Sequence, residues 1–418
     1  MGPNQDYWKR IVVLFFGGWV LIYANRTVLS PLFKILALEW GLSKTQLGFL
    51  NSAFFLIYTL MQVPTGLLAD RFQRKLVLLP GFLLQGLGVL AGGLAGGYFP
   101  FLLSRLATGL GQSTFYATQY ALAQGAIPLE KRALGTSVIN SGMAFGIAGG
   151  LALGSFFVYN LRLGWRVPFF LLSAFTLALT WLMAHVIVEK NDPIHPGRPG
   201  ANEDGPPPGQ RSSPAVKSPG VSRITLFSRD LTLSYLTVFS TMYGFFVILT
   251  WLPFYLQTVR GYSGEEAGLV SILVPFCAVP AGLLAGRISD LLGRRRSVML
   301  GLLPFSTLAL LLIVLATNRL WLILGLILYG AAGKLVLDPL MVSMVADVTP
   351  PGIYATAFGV LNFVGTISTV LAPAITGYLA DLTGSFNSGF YLAASLQGLA
   401  FLALLGVREG ASTVRSGR

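Results

Sequence analysis

Apolar runs of about twenty residues alternate with short polar stretches along almost the whole chain. Twelve such runs stand out, at 11–34, 46–66, 77–95, 100–127, 133–157, 166–188, 231–256, 267–286, 298–316, 321–345, 354–378 and 388–407. About 20 mostly apolar residues suffice to cross a bilayer as a helix. The pattern therefore predicts an all-α membrane protein with twelve transmembrane helices in two six-helix bundles. Between the sixth and seventh runs the composition changes, with Gly205-Pro206-Pro207-Pro208-Gly209 and Arg211-Ser212-Ser213-Pro214. That stretch reads as a flexible linker. The expected domains are residues 1–188, the first bundle; 189–230, the linker; 231–407, the second bundle; and 408–418, a tail.

Composition narrows the class. Only 11% of the 418 residues are charged and 54% are hydrophobic, too few charges to cover a soluble surface. The excess of 29 basic over 16 acidic residues gives +13, which in a soluble chain would suggest nucleic-acid binding. Here the basic residues flank apolar runs instead. Twenty lie on flanks that share a side with the N-terminus, against six on the other side. The positive-inside rule then places both termini and the linker in the cytoplasm of an inner-membrane protein. The charge is topological, so no nucleic-acid partner is expected. One cysteine, Cys277, rules out an intramolecular disulfide, and His185 and His195 cannot build a His-rich site; neither metal nor cofactor is expected. Tyr7-Trp8-Lys9-Arg10 leads into the first run without a small-residue cleavage site, so that run is expected to be retained as a span.

An internal repeat links the halves. Gly66-Leu67-Leu68-Ala69-Asp70-Arg71-Phe72-Gln73-Arg74-Lys75 follows the second run, and Gly286-Arg287-Ile288-Ser289-Asp290-Leu291-Leu292-Gly293-Arg294-Arg295 follows the eighth. The glycine, the aspartate and the basic pair keep their offsets, as expected of transporters built from repeats with a substrate site at the midplane. These loops, the six-plus-six arrangement, and Arg105 followed by Gly109 and Gly111 resemble the major facilitator superfamily over the whole chain. Gln73 departs from the glycine usual in that loop. The resemblance implies alternating access by rocking of two halves, a monomer in the lipid bilayer, and gating contacts from Asp70, Arg74, Asp290 and Arg294.

Four full charges lie well inside the runs: Arg26, Arg105, Lys334 and Asp338. Each costs about 2.5–3.5 kcal/mol at the bilayer centre on insertion scales, so each needs a partner or a use. Three are cationic, which suits an anionic substrate arriving as counter-ion. Arg105, Gln112, Tyr116 and Gln119 recur at offsets of 7, 11 and 14 and share one face of a helix. Arg26 and Ser30 share another face, one turn apart. Lys334 and Asp338, at i and i+4, read either as an intrahelical pair or as a breakable one that frees Asp338 to take a proton. Gly142, Gly146, Gly150 and Gly154 form a small-residue line that lets a neighbouring helix approach, for packing or for sliding.

Tyr23-Ala24-Asn25-Arg26-Thr27-Val28-Leu29-Ser30, Gly164-Trp165-Arg166 with Phe169, Thr250-Trp251-Leu252-Pro253-Phe254-Tyr255-Leu256, and Asn362 with Pro373 and Gly377 resemble the anion:cation symporter family within the superfamily. In that family carboxylates linked to proton coupling stand where this chain has Asn25 and Gln112. Both are amides here and cannot titrate, which implies altered or absent proton coupling, or another titrating group such as Asp338. The sequence thus predicts a carrier of a small organic anion, with H⁺ or another coupling ion. The expected anion site is Arg26, Arg105, Asn25, Gln112, Tyr116, Gln119, Lys334 and Asn362. An organophosphate:phosphate exchanger would need a second arginine in the seventh run, which has none. A multidrug exporter of lipophilic compounds would need acidic residues in its cavity. No His-Glu-x-x-His, Gly-x-Ser-x-Gly or intramembrane acidic cluster supports an enzyme.

Overall fold

A computed structural model describes residues 7–188, 228–349 and 354–407. Most of the expected linker and the tail lie outside the described residues; the last expected linker residues, Arg229 and Asp230, are already helical. Among the described residues every regular element is a helix. The first bundle comprises α1 (Tyr7–Thr27), α2 (Phe33–Trp40), α3 (Lys44–Arg71), α4 (Arg74–Leu94), α5 (Tyr98–Ser113), α6 (Phe115–Ala126), α7 (Arg132–Ser155) and α8 (Val167–Val186). The second comprises α9 (Arg229–Thr258), α10 (Gly264–Ser271), α11 (Leu273–Leu292), α12 (Arg295–Leu315), α13 (Arg319–Ala332), α14 (Lys334–Val348), α15 (Tyr354–Thr383) and α16 (Asn387–Gly406).

Among the described residues each of the twelve expected runs is helical, and eleven of the resulting helices or stepped helices are long and apolar enough to cross a membrane. Four are stepped: α1 with α2, α5 with α6, α10 with α11, and α13 with α14. Where the sequence predicts one helix over 100–127, Thr114 turns its hydroxyl back to the Gly111 carbonyl at 2.9 Å and separates α5 from α6.

The repeat read from the loops extends into the backbone. Gly41 and Gly261 both adopt φ near +65° (63° and 69°), the left-handed region open to glycine. Two residues later Ser43 and Ser263 open α3 and α10 with capping boxes completed by Gln46 and Glu266. Gly48 and Gly268 then meet the opposite half closely, against Pro373 and Ser155 respectively. Each pair is separated by the 220 residues that separate Asp70 from Asp290.

Three apolar cores show how the halves sit. At the end away from Tyr7 and Val407 one core joins both halves, including Leu29, Phe33, Phe54 and Leu151 with Phe246, Trp251, Phe254 and Ala372. At the end that carries Tyr7 and Val407 each half keeps its own core, Phe15, Phe82 and Phe115 in one, Leu303, Leu340 and Met344 in the other. Polar contacts follow the same division. Ser30 donates to the Leu249 carbonyl at 2.8 Å, Ser52 to the Val370 carbonyl at 2.5 Å and Tyr159 to Gln257 at 2.8 Å. Asp381 accepts from the Lys44 and Thr45 amides at 3.1 and 2.7 Å and from the Thr45 hydroxyl at 2.6 Å. That carboxylate from the second half satisfies amides left free at the start of α3 in the first. The seam is sealed at this end and parted at the other.

Candidate functional site

The charged residues of the first half meet between α1, α3 and α5. Arg26 lies in the last turn of α1, where a cation faces the negative end of the helix dipole. Its side chain is buried and donates from Nε to Gln112 Oε1 at 2.9 Å. Its guanidinium lies 4.6 Å from the Tyr58 ring centre and 4.8 Å from that of Tyr23, with Phe55 and Phe54 slightly farther. Arg105 donates to Asn51 Oδ1 at 3.0 Å and to the Asn25 carbonyl at 3.3 Å, and covers the Phe54 ring at 4.5 Å. Gln112 is fixed in turn by donating to the Ile22 carbonyl at 3.4 Å. A desolvated cation over an aromatic face gains about 2 kcal/mol, enough to offset much of the cost of placing it there.

Neither guanidinium has a carboxylate partner among the described residues. Arg26 Nη2, Arg105 Nε, both side-chain polar atoms of Asn25 and Gln119 Nε2 are buried without a hydrogen-bond partner. A buried polar group left unmade costs about 1–3 kcal/mol, more when charged. Most of these atoms are donors, and they surround two like charges. The arrangement is built to receive hydrogen-bond acceptors carrying negative charge.

Lys334 belongs to the other half and keeps its own counter-ion. Its Nζ lies 2.6 Å from Asp338 Oδ2, and the Phe245 ring centre is 5.4 Å away. The lysine side chain is 11% exposed and the aspartate 41%. Tyr23 and Arg26 of α1 lie within electrostatic reach of Lys334, and Tyr116 of α6 within reach of Asp338. The pair therefore faces the first-half cluster across the space between the halves.

Several expected residues fall elsewhere. Arg105, Gln112 and Gln119 do form one buried stripe toward α1, with Gln119 accepting from Trp19 at 3.3 Å. Tyr116, just past the break at Thr114, is 46% exposed beside that buried stripe, packs on Trp19 and Tyr120 and lies within electrostatic reach of Tyr23, Tyr58 and Asp338. Ser30 does not join Arg26, since α1 ends at Thr27 and a 3-10 turn redirects it to the seam. Asn362 is exposed and accepts no place beside the arginines; its side-chain amide donates to Gln62 at 3.3 Å between α15 and α3. The glycine line of α7 packs on α1 inside the first half, where Gly142 faces Phe16 and Gly150 faces Ala24 and Thr27. It is packing, not a surface that slides between halves. Asp70, Arg74, Asp290 and Arg294 are all exposed at the parted end. A cavity of about 420 Å³ between α3, α4 and α5 is lined by Leu68, Phe72, Leu76, Val77, Pro80 and Leu84 among others. It is apolar and contains neither arginine.

Sequence reasoning missed Asn51, Tyr23, Phe54, Tyr58 and Asp381. Asn51 was detectable as the one asparagine inside an apolar run. The aromatic rings carry no polar signal and become visible only when the guanidiniums are placed over them.

The comparisons with known proteins fit this architecture. The family model described as Major Facilitator Superfamily matches residues 15–279 and 260–418. The hexuronate transporter of Bacillus subtilis (strain 168) is 27% identical over 416 residues, covering 96% of this chain and 94% of that protein. The probable galactarate/D-glucarate transporter of Escherichia coli (strain K12) is 26% identical over 440 residues, covering 96% and 94%. Among solved structures, that of a D-xylose-proton symporter superposes with a TM-score of 0.75 at 16% identity, covering 96% of this chain and 98% of that one. With its two parted bundles and its cationic centre, the chain belongs to the major facilitator superfamily; it is an integral membrane transporter, not an enzyme.

Proposed function

We propose that the protein is a secondary transporter of a small organic anion, a carboxylate of the sugar-acid class. The observation that carries this reading is the Arg26–Arg105 cluster, two buried guanidiniums without a carboxylate partner among the described residues and with donors left open. A carboxylate entering from the parted end meets Arg26 Nη2 and the Asn25 amide. Gln112 and Gln119 offer hydrogen bonds to substrate hydroxyls, and Tyr23 and Tyr58 offer ring faces. Tyr116 lines the approach. The hexuronate and galactarate/D-glucarate transporters that resemble the chain are named for anions of this chemistry.

The excess of basic residues on the flanks at the parted end supports a cytoplasmic position for that end in the inner membrane. The chain then faces inward, and transport requires the sealed end to part as the other closes. Asp70, Arg74, Asp290 and Arg294 are the contacts that closure at the cytoplasmic end would use. A single chain holds the whole pathway, so the working unit is a monomer in the bilayer.

The test is thermal unfolding of the purified protein with sugar acids, short mono- and dicarboxylates, organic phosphates, neutral sugars and lipophilic cations. A ligand at about 100 times its Kd stabilises the fold by about 2.7 kcal/mol. Sugar acids should raise the melting temperature of the native protein and leave Arg26→Ala unmoved. Stabilisation by neutral sugars or lipophilic cations alone would return both arginines to a structural role.

A further inference from the structure

We propose that Lys334 and Asp338 form an exchangeable ion pair that couples one proton to each anion carried. This inference rests on the anion site proposed above and adds its coupling partner. Three observations converge on it. Lys334 is the first residue of α14, where Gly333 interrupts the crossing, so its charge meets the positive end of a helix dipole. Arg26, another cation, lies within its electrostatic reach. Asp338 is therefore the partner that holds Lys334 in place, and it is the more exposed of the two.

Among the described residues the surroundings leave no second carboxylate to share the work. From α1 come Tyr23 and Arg26, and from α6 Tyr116. The helices packed on α14 bring Tyr235 and Tyr243 (α9), Cys277 and Arg287 (α11), Arg295 (α12) and Tyr329 (α13), none of which hydrogen-bonds or ion-pairs with Lys334 or Asp338. Arg295 is engaged by Asp347, more than two turns farther along α14. Every other described carboxylate lies toward an end of the bundle.

The exchange balances in charge. Before binding, Arg26, Arg105, Lys334 and Asp338 sum to two positive charges. The substrate carboxylate held by Arg26 draws Lys334 to its second oxygen, the Lys334–Asp338 contact breaks, and Asp338 is left at membrane depth without a counter-ion. A proton from water at the open end then binds its carboxylate oxygen. The site with one monoanion and one proton again carries two positive charges, so the loaded and empty carriers cross the same electrical barrier. Reopening on the other side reverses each step.

The experiment uses D-glucuronate as probe with the full chain. Proton uptake on binding is read with a pH indicator in weakly buffered detergent, and accumulation is read in proteoliposomes under an imposed pH gradient. The native protein should take up one proton per D-glucuronate bound. Asp338→Asn should still bind, take up none, and lose gradient-driven accumulation at least tenfold while exchanging labelled for unlabelled D-glucuronate. Asp338→Glu should restore proton uptake, which a purely structural pair would not require. Full accumulation and proton uptake in Asp338→Asn would overturn the inference and leave the anion site standing. Failure of the native protein to bind any sugar acid would overturn the anion site and this inference together.

Discussion

The two halves of the molecule solve the same problem, a cation inside a membrane, in opposite ways. In the first half, Arg26 sits where the dipole of α1 favours it and is held by amides and ring faces, with no carboxylate among the described residues. In the second, Lys334 sits where the dipole of α14 opposes it and is held by Asp338 one turn away. The first solution leaves permanent charge and unfilled donors. The second leaves a neutral pair whose partner can be exchanged. The contrast suggests a division of labour, in which one half binds an anion and the other responds to its arrival.

The contrast breaks most visibly by removing a first-half cation. Arg26→Ala deletes the donor whose Nη2 lacks a partner and the charge on that side of the site. Truncating one member of a buried charged contact costs about 2–5 kcal/mol. Isothermal titration with D-glucuronate should show that loss, and Arg105→Ala should act alike. Lys334→Met should cost less, since it removes a cation that already has a counter-ion. Equal losses for Arg26→Ala and Lys334→Met would erase the distinction between the halves.

Next in size is making the first half resemble the second. Gln112 already accepts from Arg26 Nε at 2.9 Å, so Gln112→Glu places a carboxylate on that guanidinium without moving the chain. An internal counter-ion then competes with substrate. Affinity at neutral pH should fall about tenfold, or about 1.4 kcal/mol, and recover as the pH is lowered and the new carboxyl is protonated. An affinity independent of pH in this variant would mean that the substrate carboxylate does not compete for Arg26.

How much of this was legible in the sequence depends on which physical signal a residue carries. Arg26, Arg105, Lys334 and Asp338 announced themselves because charge is costly in an apolar run. The Lys334–Asp338 contact followed from helical spacing alone. The repeat was visible as loops, yet its capping boxes and left-handed glycines needed the backbone. The step at Thr114 was not legible, because it is a local hydrogen-bond event within an unbroken apolar run. The Asp381 clamp was illegible, since it joins residues some 336 positions apart through the amides that open α3.

The glycine line tests whether α1 must hold Arg26 at a fixed position. A methyl group at Gly150 would collide with the Ala24 backbone and the Thr27 hydroxyl, whereas one at Gly149 meets nothing within 4 Å. Gly150→Ala should therefore destabilise by about 1–3 kcal/mol through overpacking and weaken D-glucuronate binding by shifting the end of α1. Gly149→Ala should be neutral or gain up to about 1 kcal/mol from helix propensity. Thermal unfolding of the pair, with and without ligand, reads both effects. The second half should be insensitive to either change, so proton uptake per bound anion should hold at one in Gly150→Ala.

The smallest effect is expected at Asn362. Its one hydrogen bond, 3.3 Å to Gln62, is exposed and lies in the seam between α15 and α3. An exposed contact of that length should contribute less than about 0.5 kcal/mol, below the usual net value of an internal hydrogen bond. Asn362→Ala should leave both melting temperature and D-glucuronate affinity close to native. The informative alternative is a loss of affinity comparable with Arg26→Ala. It would mean that α15 turns Asn362 toward the arginines when the cytoplasmic end closes, so that the second half contributes a fixed contact to the substrate as well as an exchangeable one.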